Sequence, residues 1–495
     1  MKYTHLLLLA GMALATACTK TPSRSVTATP TEPDLLAIQD DELRENLFTL
    51  SSDEMRGKRA GTVDELRAAV WVAEKAREAG LEPAGEDGTY FQVFPINRTK
   101  VSESSSIAVN KKPLKLWESA WITSPAELSM EAPIVWLNSL ADTAKYKLEG
   151  KAVAMRLQAP SPLPAAGMSL WNYRYVASAL RQQSNALKNQ KAAAILLVTD
   201  AEAESDFGFV GHVFEEGTYL LESAPNRQSS NAPVILVHSS AAEGLQQKGA
   251  TLKADVAVNR YTYPSMNVVA KAPGSDLKDE YVLFSGHHDH DGIGATVEGD
   301  SIYNGADDNA SVTVALLAIG KAWVQQPGKR SALFVWHGAE ERGLLGSRWY
   351  VEHPTVPKES IVAVLNADMI GRNAPDSAAL LGSIPPHRNS TALVGMALNA
   401  NQQYTRFNID TSWDEASHPE GWYFRSDHLP YARAGIPAVF FTTLLHPDYH
   451  TPRDEAERID IDKLARMTRW MYATGWAVSQ TPERPATDPD AKLER

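Results

Sequence analysis

Tyr281-Val-Leu-Phe-Ser-Gly286 runs directly into His287-His288-Asp289-His290-Asp291, and the abrupt change from apolar to polar residues sets the reading of the chain. Three later segments change in the same way. They are Ala332-Leu-Phe-Val-Trp336 before Glu340, Ile361-Val-Ala-Val-Leu365 before Asp368, and Ile436-Pro-Ala-Val-Phe-Phe441 before His450. Short continuous runs rich in β-branched and aromatic residues are the pattern of strands buried on both faces. Ser311 to Trp323 is predicted as a helix between the first two, so the class is α/β. In open α/β sheets, ligand sites gather beyond the carboxyl ends of the strands, where all four polar clusters fall.

Toward the N-terminus, Asp41–Leu50 and Asp64–Ala79 have helical spacing, the second ending at Gly80. From about Ser102 to Asn259 the texture becomes short strands between polar connections: Pro133–Trp136, Lys151–Met155, Ala193–Val198 and Pro233–Val237. This stretch is predicted as a separate module. Met1 to Thr16-Ala17 has a basic start, an apolar run from Leu6 to Ala15 and small residues, which is the layout of a secretory signal. The run is too short for the ~20 residues of a membrane helix. Small residues leading into Cys18 resemble the bacterial lipobox, implying cleavage before Cys18 and lipid on its thiol. The alternative is simple cleavage after Ala15-Thr16-Ala17. Residues 18–38, Ser/Thr/Pro-rich as far as Pro33, are expected to be a flexible tether, and 481–495 a flexible tail.

Composition sets outer limits. Of 495 residues, 43% are hydrophobic and 22% charged, an ordinary globular mixture. Lys+Arg 48 against Asp+Glu 60 gives −12, which argues against nucleic-acid binding through phosphate neutralisation. The single cysteine excludes an intrachain disulfide and a Cys-ligated zinc site, so any metal must be held by His, Asp and Glu.

The polar clusters suit that chemistry. In His287-x-Asp289 the carboxylate lies two residues from the imidazole, on the same side of an extended chain, as a partner that orients a metal-binding histidine would; His288 or His290 could be the ligand instead. Helix capping requires one residue of Asn304-Gly-Ala-Asp-Asp-Asn309, whereas Asp307 and Asp308 crowd two charges that a cation would offset. Adjacent Glu340 and Glu341 can divide labour between proton transfer and metal binding. Asp368 and His450 complete the set.

Taken in order, Gly286-His287-x-Asp289, Gly305-Ala-x-Asp308-Asn-Ala-Ser311, Ala339-Glu-Glu-x-Gly-Leu-x-Gly-Ser347, Asp368-Met369, Arg425-Ser-Asp-His428 and Tyr449-His-Thr-x-x-Asp454 resemble the co-catalytic zinc exopeptidases, a family of bacterial aminopeptidases and glutamate carboxypeptidases. The resemblance implies a mixed, mostly parallel central sheet flanked by helices, built from 39–101 and 260–480. The module 102–259 resembles an inserted protease-associated domain. The resemblance also implies two zinc ions: His287, Asp308 and Asp368 on one, and Asp308, Glu341 and His450 on the other. Glu340 would be the general base, and Asp289 would hold the tautomer of His287. Arg425, Asp427 and His428 would line the substrate side, and the peptide after Asp308 would be cis. Val312 stands where the family usually has Gly.

The expected function is that of an exported exopeptidase acting on peptides, most simply an aminopeptidase. A carboxypeptidase or dipeptidase on the same scaffold is the alternative, and a non-catalytic binding protein the remote one. No Gly-x-Ser-x-Gly or His-Glu-x-x-His motif supports a serine hydrolase or a single-zinc endopeptidase. Thr19 after the lipidated cysteine implies a periplasm-facing outer-membrane lipoprotein, tied to the membrane only through Cys18; a soluble periplasmic or secreted protein is the alternative.

Overall fold

The computed structural model describes residues 32–161, 163, 171–188, 190–205, 213–221 and 232–494. The signal segment and Cys18 lie outside these residues. Among those described, no helix is long and apolar enough to cross a membrane.

The four segments that opened the sequence reading form adjacent parallel strands, in the order Ala438–Thr442, Ile361–Ala367, Leu277–His287 and Arg330–His337. Antiparallel strands extend this core on both sides. Ser377–Leu381 flanks Ala438–Thr442, while Val258–Ala272 and then Phe91–Val101 continue from Arg330–His337. The sheet is therefore mixed, with a parallel centre.

Alternation explains the continuous apolar runs. Val282 and Phe284 pack with the helices Val312–Gln325 and Ile461–Gln480, whereas Leu283 between them packs with Tyr350, Tyr431 and Ile436 on the opposite face. Both faces are covered, so neither set of alternate positions tolerates polar residues. Charge is displaced to the strand ends.

Residues 106–256 contain a second, eight-stranded sheet. Its parallel strands Leu128–Trp136, Ala152–Arg156, Ala194–Val198 and Val234–Val237 bury separate clusters on their two faces, one of them against the helix Trp171–Lys188. The module is not wholly self-contained. Thr218–Leu221 leaves it and pairs antiparallel with Phe91–Val101 at the edge of the central sheet. Gly217 makes this approach feasible, with φ at +85° and a path so close to the Thr99 carbonyl that any Cβ would collide with it.

Two expectations about the chain ends need correction. The tether was expected to reach residue 38, yet Ile38 is buried in the catalytic core and Arg469 bonds to its carbonyl oxygen at 2.9 Å. Residues 481–494, expected as a flexible tail, instead lie along the catalytic unit. Asp488 accepts a hydrogen bond from the Thr391 backbone N–H at 3.1 Å, and the Leu493 carbonyl accepts one from Arg433 at 3.0 Å. In both places backbone carbonyls satisfy arginines on the catalytic unit, which composition does not reveal.

Candidate metal centre

His287 is the last residue of Leu277–His287, and Asp368 directly follows Ile361–Ala367. Glu340 and Glu341 come three and four residues after the end of Arg330–His337, and His450 lies on the loop beyond Ala438–Thr442. Parallel pairing brings these strand ends together. Asp308 arrives from the turn that opens Val312–Gln325, and its peptide bond to Asn309 is cis, as the resemblance implied. Gly305 takes φ +58° on the approach, where a Cβ would strike the His290 ring. Ala339, Met369 and His450 adopt φ of 52°, 55° and 52°. Left-handed backbone at non-glycine residues costs on the order of 1–3 kcal/mol each and is concentrated at functional sites.

Asp308 lies between two imidazoles. Its Oδ1 is 3.2 Å from His287 Nε2 and its Oδ2 is 3.1 Å from His450 Nε2. Asp368 Oδ2 is 3.5 Å from His287 Nε2, and Glu341 Oε2 is 3.2 Å from His450 Nε2. Neither Nε2 has a hydrogen-bond partner, although both are buried. Ligands at ~2.0–2.2 Å around a tetrahedral zinc stand about 3.3–3.6 Å apart, and these separations of 3.1–3.5 Å come close to that spacing. The donor set fits the metal the resemblance implied. Two ligand-capable groups result: His287 with Glu340 and Asp368, and His290 with Asp308, Glu341 and His450. Glu340 is less engaged than the others, its Oε2 3.8 Å from His287 Nε2.

Electrostatics point the same way. Burial lifts the Glu340 carboxyl well above its ordinary value, with Glu341, Asp368 and Asp427 adding like charge and His287 opposing. Burial acts against ionised Asp308 too, but the His287 and His450 imidazoles beside it hold it well below the usual carboxylate range. Both histidines are raised well above their ordinary value despite burial, His287 chiefly by Glu340 and Asp368, His450 chiefly by Glu341. So much buried carboxylate calls for cationic partners, and a bound divalent ion is the strongest one available.

A supporting shell fixes the donors. Ser426 donates to Asp368 Oδ2 at 2.8 Å, and Asp454 accepts from the backbone N–H groups of Asp307 at 3.1 Å and Asp308 at 3.0 Å. His290 Nδ1 is bonded to Glu341 Oε1 at 2.8 Å, leaving Oε2 toward His450. Asp291 Oδ2 lies 3.1 Å from His450 Nδ1 and orients that ring. Asp291 and the positioning role of His290 were missed in the sequence. The only signal was their place in the His287–Asp291 cluster, and the residues they serve lie 51 to 159 positions away.

Three sequence expectations are revised. The Asp289 carboxylate lies 3.6 Å from His287 Nδ1, where it raises that imidazole, but the closer acceptor is the Asp289 backbone carbonyl at 3.1 Å. The strand ends at His287, so the alternation that would align residues two apart is lost. The Asp289 carboxylate instead accepts the backbone N–H of Glu340 at 3.0 Å and that of Glu341 at 3.4 Å, pinning the loop that presents both carboxylates. Nor do Asp427 and His428 line the substrate side. A helix begins at His428 and turns both residues inward, His428 stacking on Phe440 at 4.9 Å. Burial raises Asp427 to about 7 and lowers His428 to about 3.

Arg425 does face the opening. It lies over the Trp422 ring at 4.5 Å, donates to Tyr449 Oη at 3.0 Å and lines a cavity of about 660 Å³. That cavity reaches the centre at Glu341 and His450, and the module helix Trp171–Lys188 walls it with Tyr173, Arg174 and Ala177. Arg174 and Arg425 both pair with Glu420.

The carboxyl edge of a parallel sheet thus holds two neighbouring carboxylate–histidine groups, each able to hold a metal ion, with Asp308 between their imidazoles. Residues 267–475, which supply every donor named above, match the family described as Peptidase family M28. The chain is 26% identical over 291 residues to Aminopeptidase YwaD of Bacillus subtilis, covering 56% of this chain and 58% of that protein. It is 32% identical over 172 residues to Leupeptin-inactivating enzyme 1 of Streptomyces exfoliatus, 34% of each chain. It thus spans little more than half of the first of these curated relatives. Among solved structures, an aminopeptidase from Aneurinibacillus sp. strain AM-1 superposes with a TM-score of 0.57 at 18% identity, covering 93% of this chain and 97% of that one. A zinc aminopeptidase from Bacillus subtilis gives 0.56 at 18% identity, covering 92% and 99%. These two superpositions establish likeness of fold.

Proposed function

We propose that this protein is an exported dinuclear zinc exopeptidase that releases N-terminal residues from peptides. The observation that carries the reading is Asp308, whose two oxygens face His287 and His450 while both imidazole Nε2 atoms lack a protein partner. The aminopeptidase assignment draws support from the similar proteins of that name, and export and the lipid anchor from the signal and Cys18 alone. The protease-associated likeness of 102–259 draws support from its strand order in the sequence.

In this reading His287, Asp308 and Asp368 hold one zinc, and Asp308, Glu341 and His450 the other. Zinc held there would supply Lewis-acid polarisation of a carbonyl and a lowered pKa for water. Glu340 Oε2, inside the cluster yet the least committed carboxylate, takes a proton from water and returns it to the leaving amine. The raised affinity of its buried carboxyl for a proton suits both transfers. Asp289 holds the Glu340 amide, fixing where that proton is received. Arg425 and Tyr449 present a polar wall to the peptide in the cavity.

The test is a panel of free and end-blocked dipeptides, with and without a chelator. Free N-termini should be required and chelation should abolish turnover. Cleavage of N-acetylated peptides with a free C-terminus would favour the carboxypeptidase alternative, and turnover indifferent to metal removal would overturn the reading.

A further inference from the structure

An unbroken series of charged groups joins the inserted module to the centre. Glu216 ends the helical turn 213–216, just before Gly217 and the strand Thr218–Leu221 that crosses to the central sheet. Its Oε2 is 3.5 Å from Arg342 Nη1. Arg342 Nη2 donates to Asp291 Oδ1 at 3.2 Å, and Asp291 Oδ2 is 3.1 Å from His450 Nδ1. His450 Nε2 then faces Asp308 and Glu341. Each group has one side toward the module and the other toward the centre.

Glu216 is itself firmly placed. Arg59 holds its Oε1 at 2.5 Å, and Arg98 donates to its backbone carbonyl at 2.8 Å. The strand after it is laddered from Ile96–Leu221 to Thr99–Thr218. Tyr219 lies beneath the guanidinium groups of Arg98 and Arg342, at 5.3 and 5.4 Å from its ring centroid. Side-chain exposures of 11% for Arg342 and 13% for Glu216 keep the pair largely out of water, where a charge that loses its partner is costly.

We propose that Glu216 is a positioning residue through which the inserted module sets the metal affinity of the His450 position. Its carboxylate fixes the Arg342 guanidinium, which fixes Asp291, which holds the His450 ring with Nε2 toward the shared Asp308. Arg342 also directly follows Glu341, so anchoring its head group restrains the backbone of a second donor to the same position. This inference rests on the dinuclear metallopeptidase reading above. It makes the module part of the centre's support, beyond walling the cavity.

The experiment titrates zinc into the metal-free full chain against a chromophoric chelator, resolving the two affinities. Outer-shell partners of metal ligands typically carry ~10–100-fold in affinity, and Glu216 acts at one remove, so Glu216→Gln should weaken one of the two zinc affinities by ~3–10-fold. Glu216→Asp, which keeps the charge, should recover at least half of that loss on a logarithmic scale. In an Asp291→Asn background, Glu216→Gln should add less than ~2-fold, because residues acting through one network are not additive. An unchanged affinity in Glu216→Gln, or a full additional loss on top of Asp291→Asn, would overturn the proposal. Should Glu216→Gln not fold, Arg59→Gln removes a second cation from the Glu216 carboxylate and must weaken the same position; no effect there overturns it equally. If the unaltered chain binds fewer than two zinc ions, the metallopeptidase reading fails instead of the relay.

Discussion

The two sheets of this protein both end their parallel strands in polar loops, and among the described residues only one of those edges carries unmet bonding capacity. In the module, Thr199 and Asp200 follow Ala194–Val198, while His238 and Ser239 follow Val234–Val237. Glu204 accepts from Thr199 Oγ1 at 2.5 Å, from Ser239 N–H at 2.8 Å and from Ser239 Oγ at 3.1 Å, and Asp200 caps its own short helix at Ala203. These polar groups close on one another. At the central sheet the second nitrogens of His287, His290 and His450 are buried without partners, and the carboxylates around them outnumber the donors. A polar cluster beyond a strand end is thus a common structural solution, and what marks a site is bonding capacity the protein builds and leaves unused.

The comparison yields four predictions. The largest effect should come from Asp308→Ala, which strips a donor from both metal positions. Elemental analysis should find well under two metal ions per chain and turnover should be undetectable, a loss larger than the ~10–100-fold typical of outer-shell changes. Two firmly bound ions in this variant would show that Asp308 does not bridge.

Glu340→Gln should keep both metals and the fold while lowering kcat by ~10²–10⁴-fold, the scale of general acid–base catalysis. Metal content and kcat measured on one preparation separate proton transfer from ligation. Loss of an ion would place Glu340 among the donors of the His287 group.

Asp291→Asn should be milder. His450 remains, but its ring loses the carboxylate that orients it, so zinc affinity at one position should fall by ~10–100-fold in chelator competition. Equal affinity in variant and parent would leave Asp291 a surface partner of Arg342.

The smallest functional effect is expected in the module. Glu204→Gln disturbs a closed, partly buried network, so the metal content should not change and kcat/KM should stay within about twofold, while Tm falls by an amount matching the ~0.5–1.5 kcal/mol net of a hydrogen bond lost. A large loss of metal or activity would mean that the module edge is not the inert half of the comparison.

Much of the centre was legible because donors end predictable strands. His287, Asp368 and the Glu340–Glu341 pair follow apolar runs whose parallel pairing brings their ends together, and the ordered motifs carried Asp308 and His450 with them. Less legible was what each donor leans on. Asp289 stands beside His287 in sequence, yet its carboxylate serves the amides of Glu340 and Glu341, because the chain leaves the strand at His287. Asp427 and His428 sit in a motif with Arg425, but a helical turn sends only Arg425 to the cavity. Spacing reports orientation within a regular element and fails at its last residue.

By itself the sequence determined the α/β class, the position of the module and the identity of the metal-binding residue types, because apolar runs, their lengths and the single cysteine are local properties. Only the tertiary structure decided the pairing of His450 with Asp291, the insertion of Thr218–Leu221 into the central sheet and the approach of Glu216 to Arg342. Those contacts join residues 119 to 159 positions apart, and charged side chains carry no periodicity that names their partners. Which carboxylate meets which cation is settled by how the loops beyond the strand ends pack together, after the apolar pattern has already chosen the fold.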